Sequence, residues 1–288
     1  MAGWQFQIQG LCESVEYLMR QECHYDVMFT FGQIPNQQNV RAHKLFLAAR
    51  SSVFEDMFYG GHSPEVGNEI QITDERVNIR IFRIVIKFIY TDKLESNRLN
   101  ELLQIYYIAY QYKIYKLMTI CRDQIIPRID VNNVCIVFQH SFEFNDEVMK
   151  NSCRIVISQH TESVLQSENF IQISQDTVIN ILKLNEMNIP SESVLFEAAI
   201  RWAKEQIAKA NQDSSSSRVI RVRMNPLLSH IRFLTMTIEQ IFLGPETSGI
   251  FKEGEIMKIC KNIANYGSTA LPDWCCTNKL RRRPPPIS

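Results

Sequence analysis

The stretch Ala42-His43-Lys44-Leu45-Phe46-Leu47-Ala48-Ala49-Arg50-Ser51-Ser52-Val53-Phe54-Glu55-Asp56-Met57-Phe58 decides the fold. Leu45, Leu47, Ala48, Val53, Phe54, Met57 and Phe58 recur at helical spacing, which predicts a helix over 44–58. Gly60-Gly61-His62-Ser63-Pro64 then ends it, because glycine and proline do not continue a helix. Upstream, Asp26-Val27-Met28-Phe29-Thr30-Phe31 alternates, with Val27, Phe29 and Phe31 on one face, and reads as a strand. A polar loop at 32–39 containing Pro35 leads into a returning strand, Val40-Arg41-Ala42-His43. Further out, Ile8, Leu11, Val15, Leu18 and Met19 form one apolar stripe on a short helix over 8–19.

Downstream, Glu69-Ile70-Gln71-Ile72-Thr73-Asp74 alternates as a third strand. A helix follows at 79–90 with Phe82, Val85, Ile86 and Ile89 inward, then a helix pair at 99–110 and 114–126 closed by Pro127. The first part is therefore a short mixed sheet in a helical shell. From Val131 onward the pattern is helical, in segments 131–143, 146–158, 163–167, 175–184, 191–210, 225–231, 237–243 and 253–265. Ser191 offers a capping hydroxyl beside Pro190, and 212–217 is a polar connector. Residues 266–288 have little periodicity and read as a disordered tail. The expected class is α+β, with domains at 1–127 and 128–265.

Composition limits the function. The 288 residues carry 31 Lys and Arg against 31 Asp and Glu, without the basic footprint of a nucleic-acid-binding protein. No secretory leader is visible, and no apolar run approaches the ~18 residues of a membrane span. The expected location is cytoplasmic, with the nucleus as a second compartment. The eight cysteines are scattered through apolar patterns without C-x-x-C spacing, which fits reduced, buried thiols rather than disulfides or metal ligands. Phosphate-binding glycine loops, a G-x-S-x-G elbow and H-E-x-x-H are all absent from the sequence. No enzyme, metal or cofactor is expected.

The ordered set Asp26-Val27-x-Phe29, Ala42-His43-Lys44-x-x-Leu47-Ala48-x-x-Ser51-x-Val53-Phe54-x-x-Met57-Phe58 and Phe88-Ile89-Tyr90-Thr91-Asp92 resembles the BTB/POZ family. The block from Val131 to Cys260, including Ser193-Val194-Leu195-Phe196-Glu197-Ala198-Ala199-x-x-Trp202, resembles the all-α helical-repeat BACK domain. The resemblance is to BTB–BACK proteins without kelch repeats. Some of these carry a carboxy-terminal β-sandwich, for which this chain is too short.

The resemblance implies a non-enzymatic homodimer that recruits a protein substrate to a cullin-three-type ubiquitin ligase. It assigns the dimer interface to Trp4, Ile8, Leu11, Val15, Leu18 and Met19, with Phe6 less directly. The apolar stripe points the same way, since exposed apolar surface marks association; the alternative is that the helix caps its own domain. The resemblance places cullin contacts on Phe54, Met57, Phe58, Tyr59, His62 and Glu65. It also adds the first BACK helices, whose Val134, Cys135, Val137 and Phe138 read equally as a helix-pair core. Family adaptors carry an apolar-x-Glu motif where this chain has His62-Ser63-Pro64, a departure that leaves Glu65 one place out of register. Asp26 and Lys44 match a charged pair that relatives bury in a pocket; they read either as a structural lock or as a corepressor site. That second use implies a transcription-linked scaffold that engages no cullin. His43 reads as a structural histidine. Lys279-Leu280-Arg281-Arg282-Arg283 is either a solvated tail or a nuclear-import element.

Overall fold

The computed structural model describes residues 4, 7–8, 10–60, 68–211, 213, 215–252 and 254–284. The chain divides into two compact units, Met1–Arg128 and Ile129–Ser288.

In the first unit, α1 (Leu11–Arg20) precedes β1 (Val27–Phe31) and β2 (Gln38–Ala42). Next come α2 (Lys44–Ala48), α3 (Ser52–Tyr59), β3 (Glu69–Ile72), α4 (Ile79–Thr91), α5 (Leu99–Gln111) and α6 (Tyr115–Ile125). The sheet order is β2-β1-β3. Strand β1 runs antiparallel to β2, with Phe29 opposite Val40, and parallel to β3, with Phe29 opposite Ile70. A tight loop suffices for the antiparallel pair, whereas the parallel pair needs a longer crossover, which α2 and α3 supply. The alternation of β1 sends Val27 and Phe29 into the core, where Phe29 meets Phe82 edge-on at 5.0 Å.

The single helix expected over 44–58 is two helices. Ser51 separates them with extended backbone (φ −151°), and its Oγ accepts the Phe54 N–H at 3.1 Å. The Ser51 hydroxyl also donates to the Tyr112 carbonyl. A serine that caps a helix start competes with helix continuation, so apolar spacing alone does not reveal the break.

At the end of α4, Asp92 takes left-handed backbone (φ 57°) and gathers two cations. Arg50 Nη1 donates to it at 3.2 Å, and Lys116 Nζ lies at 3.0 Å. The Arg50 hydrogen bonds, followed by Lys116, hold the Asp92 carboxyl down at about 2 against an ordinary 3.8. A carboxyl depressed by folding stabilises the native state fully above its unfolded value, and that stabilisation is lost as pH falls through the folded value. Between pH 5 and 2, wild type should therefore lose more melting temperature than Asp92→Asn. Parallel slopes in a thermal-melt series would refute this coupling.

The second unit is helical: α7 (Val134–Glu143), α8 (Glu147–Gln159), α9 (Thr161–Gln166), α10 (Gln175–Leu182) and α11 (Glu192–Lys209). It continues with α12 (Ser217–Leu228), α13 (Ile238–Ile241) and α14 (Glu255–Ala264). Ser191 caps α11, accepting the Ser193 N–H at 3.2 Å. Helix α12 begins eight residues before the expected segment at 225 and places Pro226 in its last turn. Buried Trp202 anchors α11 by donating its indole N–H to the Ile173 carbonyl at 2.9 Å.

The disordered tail expected at 266–288 is overturned for its described residues, which reach Pro284. Trp274 packs edge-on against Phe233 at 5.6 Å, and Cys275 and Arg282 are buried. The Arg283 carbonyl accepts the Met187 N–H at 2.8 Å, and the Arg283 N–H donates to the Asn185 carbonyl at 3.1 Å. The Arg282 guanidinium holds the Glu192 carboxylate, with Nε to Oε1 at 2.7 Å and Nη2 to Oε2 at 3.3 Å. The basic run is thus split: Arg282 points inward while Arg281 and Arg283 stay exposed.

Candidate interaction surfaces

Helix α1 packs on α4 yet buries none of its residues. Leu11 is 80% exposed, while Val15, Leu18 and Met19 are half-buried. Ile8 is also half-buried, and Trp4 stacks on Tyr17 with ring centroids 4.6 Å apart. Phe6 lies outside the described residues. The helix therefore covers part of its own domain and leaves a partly open apolar stripe, a surface suited to a second protein face.

The segment expected to carry the cullin contacts separates into three environments. Phe54 is fully buried, stacked on Tyr112 at 4.4 Å and tilted against Phe29 at 5.8 Å. It is a core residue, so its assignment as a surface contact is corrected. Met57 and Phe58 are half-buried, with the Lys44 ammonium 5.7 Å from the Phe58 ring centroid. Tyr59 is 58% exposed and presents its ring to solvent. His62 and Glu65 lie outside the described residues.

The expected buried Asp26/Lys44 charge pair takes a different form. Asp26 is exposed, and its Oδ1 accepts the Lys44 main-chain N–H at 2.7 Å. The Lys44 ammonium turns to Asn68 Oδ1 at 3.2 Å instead. The carboxylate acts as a cap for the first turn of α2, where free N–H groups favour an anion.

His43 beside it is buried and fully engaged. Its Nε2 lies 2.7 Å from the Cys23 carbonyl, which can only accept, so Nε2 carries the proton. In that neutral tautomer Nδ1 accepts from the Tyr90 hydroxyl at 2.8 Å, and Tyr90 Oη accepts the His43 main-chain N–H at 2.8 Å. Burial raises the Tyr90 pKa. The closed ring of bonds ties the α2 entrance to α4, which is a structural role.

In the second unit Val134, Cys135, Val137 and Phe138 are buried, filling the seam between α7 and α8. What α8 leaves outside is Val148, 54% exposed, and Ile155, 57% exposed. All eight cysteines are free thiols. Burial pushes Cys121, Cys135 and Cys275 up to about 12 and raises Cys153 as well. Thiols so protonated are poor nucleophiles and poor ligands. Among the described residues no group of His, Cys, Asp and Glu side chains could hold a metal ion. Nor is any helix among them long and apolar enough to cross a membrane.

Sequence reasoning missed two clusters in the second unit. One is the Glu192–Arg282 pair. The other joins Arg221, Glu255, Phe251 and Trp274. The available signal was apolar: Trp274 and Cys275 sit within a segment otherwise read as solvated.

The BTB/POZ domain profile matches residues 15–128, and the profile described as "BTB And C-terminal Kelch" matches residues 134–242. The chain is similar to BTB/POZ domain-containing protein 6-B of Danio rerio, 32% identical over 249 residues, which cover 86% of this chain and 50% of that protein. It is 31% identical over 248 residues to BTB/POZ domain-containing protein 6 of Homo sapiens, covering 86% of this chain and 45% of the relative. With BTB/POZ domain-containing protein 3 of Homo sapiens the identity is 29% over 280 residues, covering 97% and 52%. The chain spans about half the length of the curated relatives it matches.

Proposed function

We propose a function from one premise: this chain belongs to the BTB/POZ domain proteins with a following BACK domain, in the group without kelch repeats. Proteins of this family are protein-interaction adaptors, and their BTB domains commonly self-associate. On our reading, this chain is a non-enzymatic cytoplasmic homodimer that carries a protein substrate to a cullin-three-type ubiquitin ligase. The carrying observation is the apolar stripe of α1, with Leu11 exposed and Val15, Leu18 and Met19 half-buried, on a domain whose core is already filled by Phe29, Phe54 and Phe82. A self-complementary patch of this kind suits two-fold pairing. Tyr59, at the exposed end of α3, is the aromatic anchor of the docking face, with Met57 and Phe58 beside it. Residues Val148 and Ile155 of α8 form the second contact.

The competing corepressor reading is less well supported, because the Asp26 carboxylate is engaged on the Lys44 N–H rather than free for a ligand. Two measurements test the proposal together. Sedimentation at low micromolar concentration should show a dimer, and Leu11→Asp should convert it to monomer. Titration with a cullin-three amino-terminal domain should saturate, and Tyr59→Ala should weaken binding roughly tenfold. A monomeric wild type would remove the dimer. No binding at ~10 μM, about −6.8 kcal/mol, would remove the ligase role.

A further inference from the structure

The second unit holds an open groove of about 1100 Å³ that the adaptor reading does not use. One wall is a face of α12, the other is the segment 270–274, and α14 closes the base. Its floor is electrically paired. Arg221 meets both oxygens of Glu255, at 3.1 and 3.2 Å. Trp274 Nε1 donates to the same carboxylate at 2.7 Å. The Arg221 guanidinium lies 4.8 Å from the Trp274 ring centroid and 5.3 Å from that of Phe251.

The rim is not settled. Arg218, Lys252 and Lys258 line it, all exposed, against the single carboxylate of Asp273. None of the three cations has an ion-pair partner among the described residues. Beside them Val222 is 67% exposed, an apolar step within a basic ring. A rim of net positive charge over a neutral floor attracts the opposite charge, and its complement gains both rate and specificity from that field.

We propose that this groove docks an extended acidic peptide segment of a partner protein, with one apolar side chain of that segment resting on Val222. The carboxylates would meet Arg218, Lys252 and Lys258 along the rim. Single-stranded nucleic acid fits less well, since base stacking needs a free aromatic face. The Trp274 ring is already flanked by Arg221, Phe251 and Phe233. The groove lies wholly within the second unit, so this inference stands or falls separately from the cullin docking of α3.

The test uses the full chain and a fluorescein-labelled peptide of about 12 Asp and Glu residues with one central leucine, followed by anisotropy at low salt. Saturable binding is expected, weakened several-fold as salt screens the rim. Arg218→Glu combined with Lys258→Glu should reduce affinity at least ~10-fold with the melting temperature unchanged, both side chains being exposed. Val222→Asp should weaken the leucine peptide more than its all-acidic counterpart. Absence of saturation at about 1 mM would overturn the proposal. So would wild-type binding by the double variant, or equal competition by oligo-dT or by anionic vesicles, which would mark a bare anion patch. Mutual displacement by a second copy of the chain would overturn it in favour of self-association.

Discussion

Arg282→Ala should destabilise the second unit by about 3–5 kcal/mol, the usual cost of breaking a buried ion pair from one side. The Arg282 side chain is 1% exposed and the Glu192 side chain 3%. Besides its two bonds to Glu192, the guanidinium donates to the carbonyls of Leu184 and His230, the latter at 3.0 Å. Truncation leaves the Glu192 carboxylate with the Arg232 main-chain N–H, at 3.0 Å, as its remaining described bond. It also leaves two carbonyls without their donor, and unmet buried polar groups carry their full desolvation cost. Glu192→Gln should cost a comparable amount, since it strands the guanidinium instead. Replacing both residues by methionine should cost less than either single change, because burying an ion pair already costs desolvation that an apolar pair avoids. Denaturant titration read through Trp202 and Trp274, both in this unit, measures all three variants. A loss below 1 kcal/mol for Arg282→Ala would mean that the tail is dispensable.

Phe54→Ala should cost the first unit about 3–5 kcal/mol, the range for deleting a buried aromatic ring. The ring is fully buried, touches Tyr112, Phe29 and Phe58, and follows a serine cap that fixes the start of α3. Removing it opens a cavity beneath the helix whose exposed end carries Tyr59. The variant should therefore lose the proposed cullin binding through loss of folded protein, at a lowered melting temperature. Tyr59→Ala should weaken that binding with its melting temperature nearly intact, since that ring is mostly in water. The pair separates support from contact. An unchanged melting temperature for Phe54→Ala would contradict the packing described here.

The fold class was legible because its decisive elements are local. Alternation marks Val27, Phe29 and Phe31, and helical spacing marks Phe82, Val85, Ile86 and Ile89. The interruption at Ser51 was not legible, because the hydroxyl that ends one helix and starts the next leaves the apolar spacing intact. The tail was misread for a different reason. Arg282 meets a partner ninety positions away, beyond any local window. In extended chain, successive side chains face opposite sides, so Arg281, Arg282 and Arg283 share a charge but not a surroundings. Of the candidate contacts, apolar character alone could not separate buried Phe54 from exposed Tyr59, which sit at opposite ends of one helix. The expected cullin contacts His62 and Glu65 lie outside the described residues.

The Glu192–Arg282 pair also constrains how the chain matures during synthesis. Glu192 leaves the ribosome 90 residues ahead of the arginine that neutralises it, a gap of roughly 5–20 s at ordinary elongation speeds. Over that interval α11 can form, but its amino-terminal end must stay hydrated. Completion of the helical unit is thus a late event, timed by translation of the segment around Arg282 rather than by formation of the helices themselves.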